Sequence, residues 1–174
     1  INVLGKDEEF LKLSREAGCI QWFVGFESIS KETLRKIHKL TNVNVVEKYG
    51  EYVRKIQKHG IAVVGGMIFG FDEDTPDVFE TTYKSLEEWQ VDGIEFNILT
   101  PYPGTAIYYR FEKEGRILTK DWSKYSQAHV VFRPKKMTPE ELLEGYMWIT
   151  KKFYSMDKVL KRILHHIGYA KEYE

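Results

Sequence analysis

Residues 65–76 read GGMIFGFDEDTP. They close the apolar run IAVVGGMIF at 61–69, give up three side chains to glycine between 65 and 70, and then break into three acids and a proline. A run of this length, preceded by Gly60 and followed by turn residues, has the size of a strand covered on both faces, the usual state in a parallel sheet. Gly66, Ile68 and Gly70 alternate, so regular strand geometry puts all three on one face. Two absent side chains around one apolar side chain make a shallow surface on which a planar ring can lie. Close strand packing or a bulge explains the same glycines.

Outward from this stretch, segments of helical and strand character alternate. IQWFVGF at 20–26 and GIEFNIL at 93–99 are two further strands. Between and around them, residues 6–17 form a helix with Phe10, Leu11, Leu13 and Ala17 near one face. Ser30 caps a short helix, and a second runs through 45–59 with Tyr49, Tyr52, Val53 and Ile56 at buried spacing. Thr75 is expected to cap the next helix, with Pro76 at its first position and Phe79, Tyr83, Leu86 and Trp89 as its stripe. A helix follows at 106–115. Thr138 and Glu141 then have capping-box spacing, and a last helix spans 157–169. The expected fold is α/β: a partial TIM-like (β/α) barrel of about three parallel strands with outer helices, plus a C-terminal helical extension. Residues 1–118 form the barrel portion and residues 119–174 the extension. Three strands cannot close a barrel, so one sheet face should stay open.

Composition excludes several classes. The 174 residues carry 26 basic and 26 acidic side chains, a balance that argues against a broad nucleic-acid footprint. No apolar run approaches the roughly 20 residues of a membrane span. The single cysteine, Cys19, excludes an internal disulfide and a multi-cysteine metal site, and suits a reducing cytoplasm. The five histidines lack metal-ligand spacing. No Ser-His-Asp arrangement or P-loop is present, and no residue stands out as catalytic.

In parallel α/β sheets, ligands gather at the carboxyl ends of the strands. Glu27 and Ser28 end the first strand, where a carboxylate can accept two hydrogen bonds from a sugar diol; helix capping or ion pairing is the equal alternative. Asp72 lies nearer this edge than Glu73 and Asp74, which read as helix-terminus acids. Asn97 shares strand parity with Glu95 and Leu99. A buried amide there needs partners, which an adenine edge or a neighbouring backbone supplies.

Three segments, AGCIQWFVGFES (17–28), GIAVVGGMIFGFDEDT (60–75) and ILTPYPGTAIYYRFEKEGRI (98–117), together resemble the carboxyl-terminal half of a radical S-adenosylmethionine barrel. The likeness is to the cobalamin-binding-domain subgroup of oxidative-cyclase-like and hopanoid-type proteins. The tail at 130–154 resembles the extension found after that barrel. On this resemblance Gly66, Ile68 and Gly70 match the strand that walls the adenine, and Glu27 and Ser28 match the strand end near the ribose and methionine. Asn97 to Leu99 match the strand bordering the base. Asp72 stands beside that pocket. The resemblance implies S-adenosylmethionine as cofactor and, in a full-length protein, a [4Fe–4S] cluster that releases an adenosyl radical. One cysteine cannot ligate such a cluster. The cluster motif, and any cobalamin-binding domain, is therefore expected upstream of Ile1, and the isolated chain is expected to be inactive. The implied partner is the N-terminal half-barrel of the same protein, with an unidentified small-molecule substrate and no nucleic acid or membrane span. Self-association through the uncovered sheet face is a further expectation. The alternative is a non-enzymatic α/β module that docks a protein on that face.

Overall fold

The computed structural model describes residues 1–171. The three apolar runs form strands β1 (Gln21–Glu27), β2 (Ala62–Phe69) and β3 (Gly93–Ile98). They make one parallel sheet in the order β1-β2-β3. Register is regular from Gln21 opposite Ala62 to Gly25 opposite Gly66. A bulge then places Glu27 opposite Met67. The sheet does not close.

Helices occupy one face only. They are α1 (Glu8–Glu16), α2 (Lys31–Lys36), α3 (Leu40–Val43), α4 (Tyr49–Gln57), α5 (Val78–Trp89), α6 (Ala106–Lys113), α7 (Pro139–Phe153) and α8 (Met156–Lys171). On β2 the odd positions Val63, Met67 and Phe69 are buried beneath them. Aromatic rings fill the layer between: Phe26 lies 4.9 Å from Tyr49 and 5.3 Å from Trp89, Phe69 4.7 Å from Phe79, and Phe96 5.5 Å from Phe153. Gly65 faces this layer, where an added Cβ would fall 2.3 Å from the Phe26 ring. Its missing side chain is what lets β1 and β2 share one bulky aromatic. The opposite face is bare. Phe23 is 56 % exposed there, with Gln21 and Glu95 also exposed and Val64 and Ile68 half-buried.

The buried stripes of α4 and α5 match their helical periodicity, and the α7 capping box is made in both directions. Two local expectations fail. Thr75 does not cap α5. The carboxylate of Asp74 turns back to accept the Gly70 and Phe71 N–H groups at 2.9 and 3.0 Å, which closes residues 70–74 into a loop. The helix therefore starts at Val78 after Asp77, and the Thr75 hydroxyl donates to the Asp77 carboxylate instead. Helix α1 buries Leu11 but leaves Phe10 and Leu13 at 40 and 55 % exposure. It touches the body along one line, with Phe10 resting on Trp22 at 5.9 Å.

Among the described residues, no helix is long and apolar enough to cross a membrane.

A candidate adenosyl-binding edge

The carboxyl ends of the strands converge on two cavities that share a wall. One, of about 220 Å³, is lined by Ile68, Asn97, Ile98, Leu99, Thr100, Tyr102 and Gln127. The other, of about 340 Å³, lies beyond Leu99 against α2 and α6. The first brings together Ile68, Asn97 and Leu99. Gly66 lies on the same sheet face, two residues back along β2. An added Cβ there would meet only the tip of the Phe23 ring, at 3.3 Å. Asn97 donates one long hydrogen bond, 3.4 Å to the Glu95 carbonyl, which leaves most of its amide facing the cavity. A planar base with donors and acceptors on its edge fits this combination of apolar wall, absent side chain and underused amide.

Gly70 does not join that face. Its φ of +100° ends the alternation at Phe69, and an added Cβ would fall 2.9 Å from Leu142 and 3.1 Å from Phe132. The glycine is there because the backbone turns through a left-handed conformation against the C-terminal segment. The three glycines thus answer to three constraints: Gly65 to ring packing beneath the sheet, Gly66 to the bare face, and Gly70 to the turn.

Glu27 is re-aimed by the bulge. Its φ is +65°, unusual for a side chain with a Cβ, and its carboxylate folds over Gly25, where an added Cβ would sit 2.6 Å from Oε1. Lys39 pairs with it at 3.1 Å. Ser28 is buried, and its hydroxyl accepts the Ser30 N–H at 3.1 Å, one step before Ser30 caps α2. Gly25 and Lys39 are functional candidates that pattern reading passed over. The Gly-x-Glu spacing at 25–27 was their only trace.

Asp72 is the hub of an ion-pair cluster. Arg116 lies 2.8 Å away, Lys135 3.2 Å and Arg110 3.4 Å. Burial acts to raise its pKa, but hydrogen bonding and charge from Arg116, with help from Lys135 and Arg110, outweigh it and hold the carboxyl below its ordinary range. Arg116 also binds Glu114 at 2.9 Å and stacks 3.9 Å over Phe111. In the cluster Asp72 fastens the end of β2 to the residues that follow α6. Asp74 moves the other way: burial, partly opposed by its two backbone hydrogen bonds, pushes it up to about 6.

His38 is exposed and lines the larger cavity, with a φ of +59°. His166 bonds the Tyr169 hydroxyl at 2.6 Å, at the opposite end of the sheet. Among the described residues, no three His, Cys, Asp or Glu side chains are grouped to hold a metal ion. With a single cysteine, the chain does not fit an iron–sulfur cluster.

Residues 105–173 match a domain of unknown function, DUF4070. The bacteriochlorophyllide d C-12(1)-methyltransferase of Chlorobaculum tepidum is 34 % identical over 163 residues, which is 94 % of this chain and 35 % of that protein. The hopanoid C-2 methylase of Rhodopseudomonas palustris is 32 % identical over 169 residues, 96 % of this chain and 30 % of that protein. The anaerobic magnesium-protoporphyrin IX monomethyl ester cyclase of Cereibacter sphaeroides is 29 % identical over 161 residues, 92 % of this chain and 25 % of that protein. The chain spans about a quarter to a third of the length of these curated relatives. Its similarity is to the carboxyl-terminal region of the cobalamin-binding-domain subgroup of the radical S-adenosylmethionine family.

Proposed function

We propose that this chain is the adenosyl-binding part of a larger radical S-adenosylmethionine enzyme, and that it is inactive alone. One observation carries the reading: Ile68, Asn97 and Leu99 share a cavity at the carboxyl end of an unfinished parallel sheet, beside the bare strand position at Gly66. In this reading Ile68 and Gly66 form the wall on which the adenine lies, and the Asn97 amide addresses its edge. Glu27 reaches the ribose from β1, with Lys39 fixing its carboxylate, and Ser28 holds the turn that carries Glu27. Asp72 acts from behind, keeping the exit of β2 in place. The cofactor, when bound with a cluster held elsewhere, supplies adenosyl-radical chemistry, and the open face keeps water out only once the rest of the barrel covers it. The remaining strands add along the free margin of β1. The reaction is a modification of an apolar substrate's carbon skeleton by methyl transfer or ring closure, the two reactions that the relatives' names carry.

The test is binding of S-adenosylmethionine to the 174-residue chain, followed by backbone NMR. Saturable shifts at Gly66, Ile68, Asn97 and Leu99 are expected. Gly66→Val should weaken binding by about tenfold or more, which is about 1.4 kcal/mol, without lowering the melting temperature. Binding that is absent, or indifferent to Gly66→Val, refutes the assignment.

A further inference from the structure

The cavity of about 340 Å³ on the far side of Leu99 falls within the roughly 300–1,000 Å³ range of small-molecule sites. Its floor is apolar, built from Ile37, Phe71, Leu99, Ala106 and Ile107. Its rim carries Lys36, His38 and Arg110 opposite Asp72 and Glu73.

The acids on that rim are already neutralised. Glu73 is paired by Lys36, which also reaches Glu32 at 3.2 Å. Asp72 has close contacts from Arg116 and Lys135, and those two cations share only one further acid, Glu114. Three cations, with Arg110, therefore converge on two carboxylates. Arg110 is the surplus one: its contact with Asp72 is the longest at 3.4 Å, and its side chain is 51 % exposed. A guanidinium with an uncommitted edge over an apolar floor is suited to a bidentate carboxylate.

His38 supplies an independent mark. It occupies the left-handed position just after α2, where its N–H bonds Arg35 and the next N–H bonds Leu34, a place that glycine fills at least cost. The side chain lines the cavity rim, and such strain is commonly kept where a ligand is held.

We propose that this cavity seats the substrate, and that the substrate has an apolar body carrying a carboxylate that Arg110 binds, with Lys36 and His38 at its sides. The proposal rests on the cofactor reading above, because the two cavities share Leu99 as a wall and a substrate must lie beside the adenosyl group.

The probes are decanoate, decanol and the flat carboxylate 1-naphthoate, titrated into the 174-residue chain and followed by NMR. A carboxylate should bind at least about tenfold more tightly than decanol, with shifts at Phe71, Leu99 and Ile107. Preference between decanoate and 1-naphthoate tells an extended body from a planar one. Arg110→Gln should erase the advantage over decanol at an unchanged melting temperature, since the side chain is half in solvent. Equal binding of decanol and decanoate, an advantage that survives Arg110→Gln, or shifts confined to Phe23 and Val64 on the bare face would each overturn the proposal. If S-adenosylmethionine binds and no carboxylate does, the substrate assignment alone fails. If the carboxylate binds and S-adenosylmethionine does not, the cofactor assignment alone fails.

Discussion

The two margins of the sheet are built on opposite terms. At β3 the chain finishes its own edge: the Tyr154 hydroxyl accepts the Ile94 N–H at 3.0 Å and donates to the Ile94 carbonyl at 2.6 Å. Further along, the Gln127 carbonyl accepts the Ile98 N–H at 2.7 Å, and α7 packs over the strand. At β1 the margin is dressed only at its ends: the Cys19 thiol donates to the Gln21 carbonyl at 3.4 Å, and the Asn42 amide reaches the Gly25 and Phe26 carbonyls at 3.0 and 3.3 Å. Upstream of Gly25 no strand or helix lies along that margin among the described residues, and Phe23 stands in solvent. An edge with unmet backbone groups beside an apolar face is a template for pairing, and proteins that leave one bare usually cover it with something else. The difference teaches where the chain meets the needs of its own backbone and where it leaves a strand margin open.

The largest effect should come from breaking the finished side. Arg116→Met removes the cation that holds Asp72, Glu114 and the Arg133 carbonyl together and leaves the mostly covered Asp72 carboxylate to the more exposed Lys135 and Arg110. A loss on the order of 3–5 kcal/mol in urea unfolding is expected, with proteolysis starting in the C-terminal segment. A first cut near β1 would instead show that the β3 side does not depend on the cluster.

Between the margins, the loop leaving β2 is predicted to respond to pH. The folded pKa of Asp74, about 6, exceeds its reference value of 3.8, so the folded form holds this proton more tightly. Its contribution to stability is fully present below the unfolded value and is lost as pH rises toward 6. That decline is on the order of 2–3 kcal/mol. Asp74→Asn keeps an acceptor for the Gly70 and Phe71 N–H groups without the buried charge, and should flatten the decline. An unchanged pH profile in the variant would place the titration elsewhere.

The smallest effects sharpen the contrast directly. Tyr154→Phe deletes the group that serves both polar atoms of Ile94, at a cost of about 1–2 kcal/mol. Phe23→Ser, on the bare face, should change stability by no more than about 0.5 kcal/mol. Equal losses for the two substitutions, measured in the same urea series, would erase the distinction between the margins.

What was legible in the sequence is what neighbours along the chain decide. The three apolar runs, the α4 and α5 stripes and the Thr138–Glu141 cap depend on spacing within a few residues, and the fold class follows from their alternation. Ile68, Asn97 and Leu99 share a cavity, with Gly66 on the same sheet face, because strand parity and strand ends are likewise local. Gly70 was misplaced because one left-handed residue cancels the parity rule, and nothing in the spelling GFD announces it. The cap at Thr75 failed because Asp74, four residues from Gly70, competes for the same turn. Tyr154 lies 60 residues from the strand it finishes, and Arg110, Arg116 and Lys135 meet Asp72 only through the fold. Such contacts carry no period for a sequence pattern to reveal.

The phenol of Tyr154 sets a limit on the final architecture. A wall that terminates itself at one end can lengthen only from the other, so if further strands join this sheet they add beside β1 and leave a standing seam at β3. A bulky guest would then have a sideways door into the enclosure as well as the axial mouth.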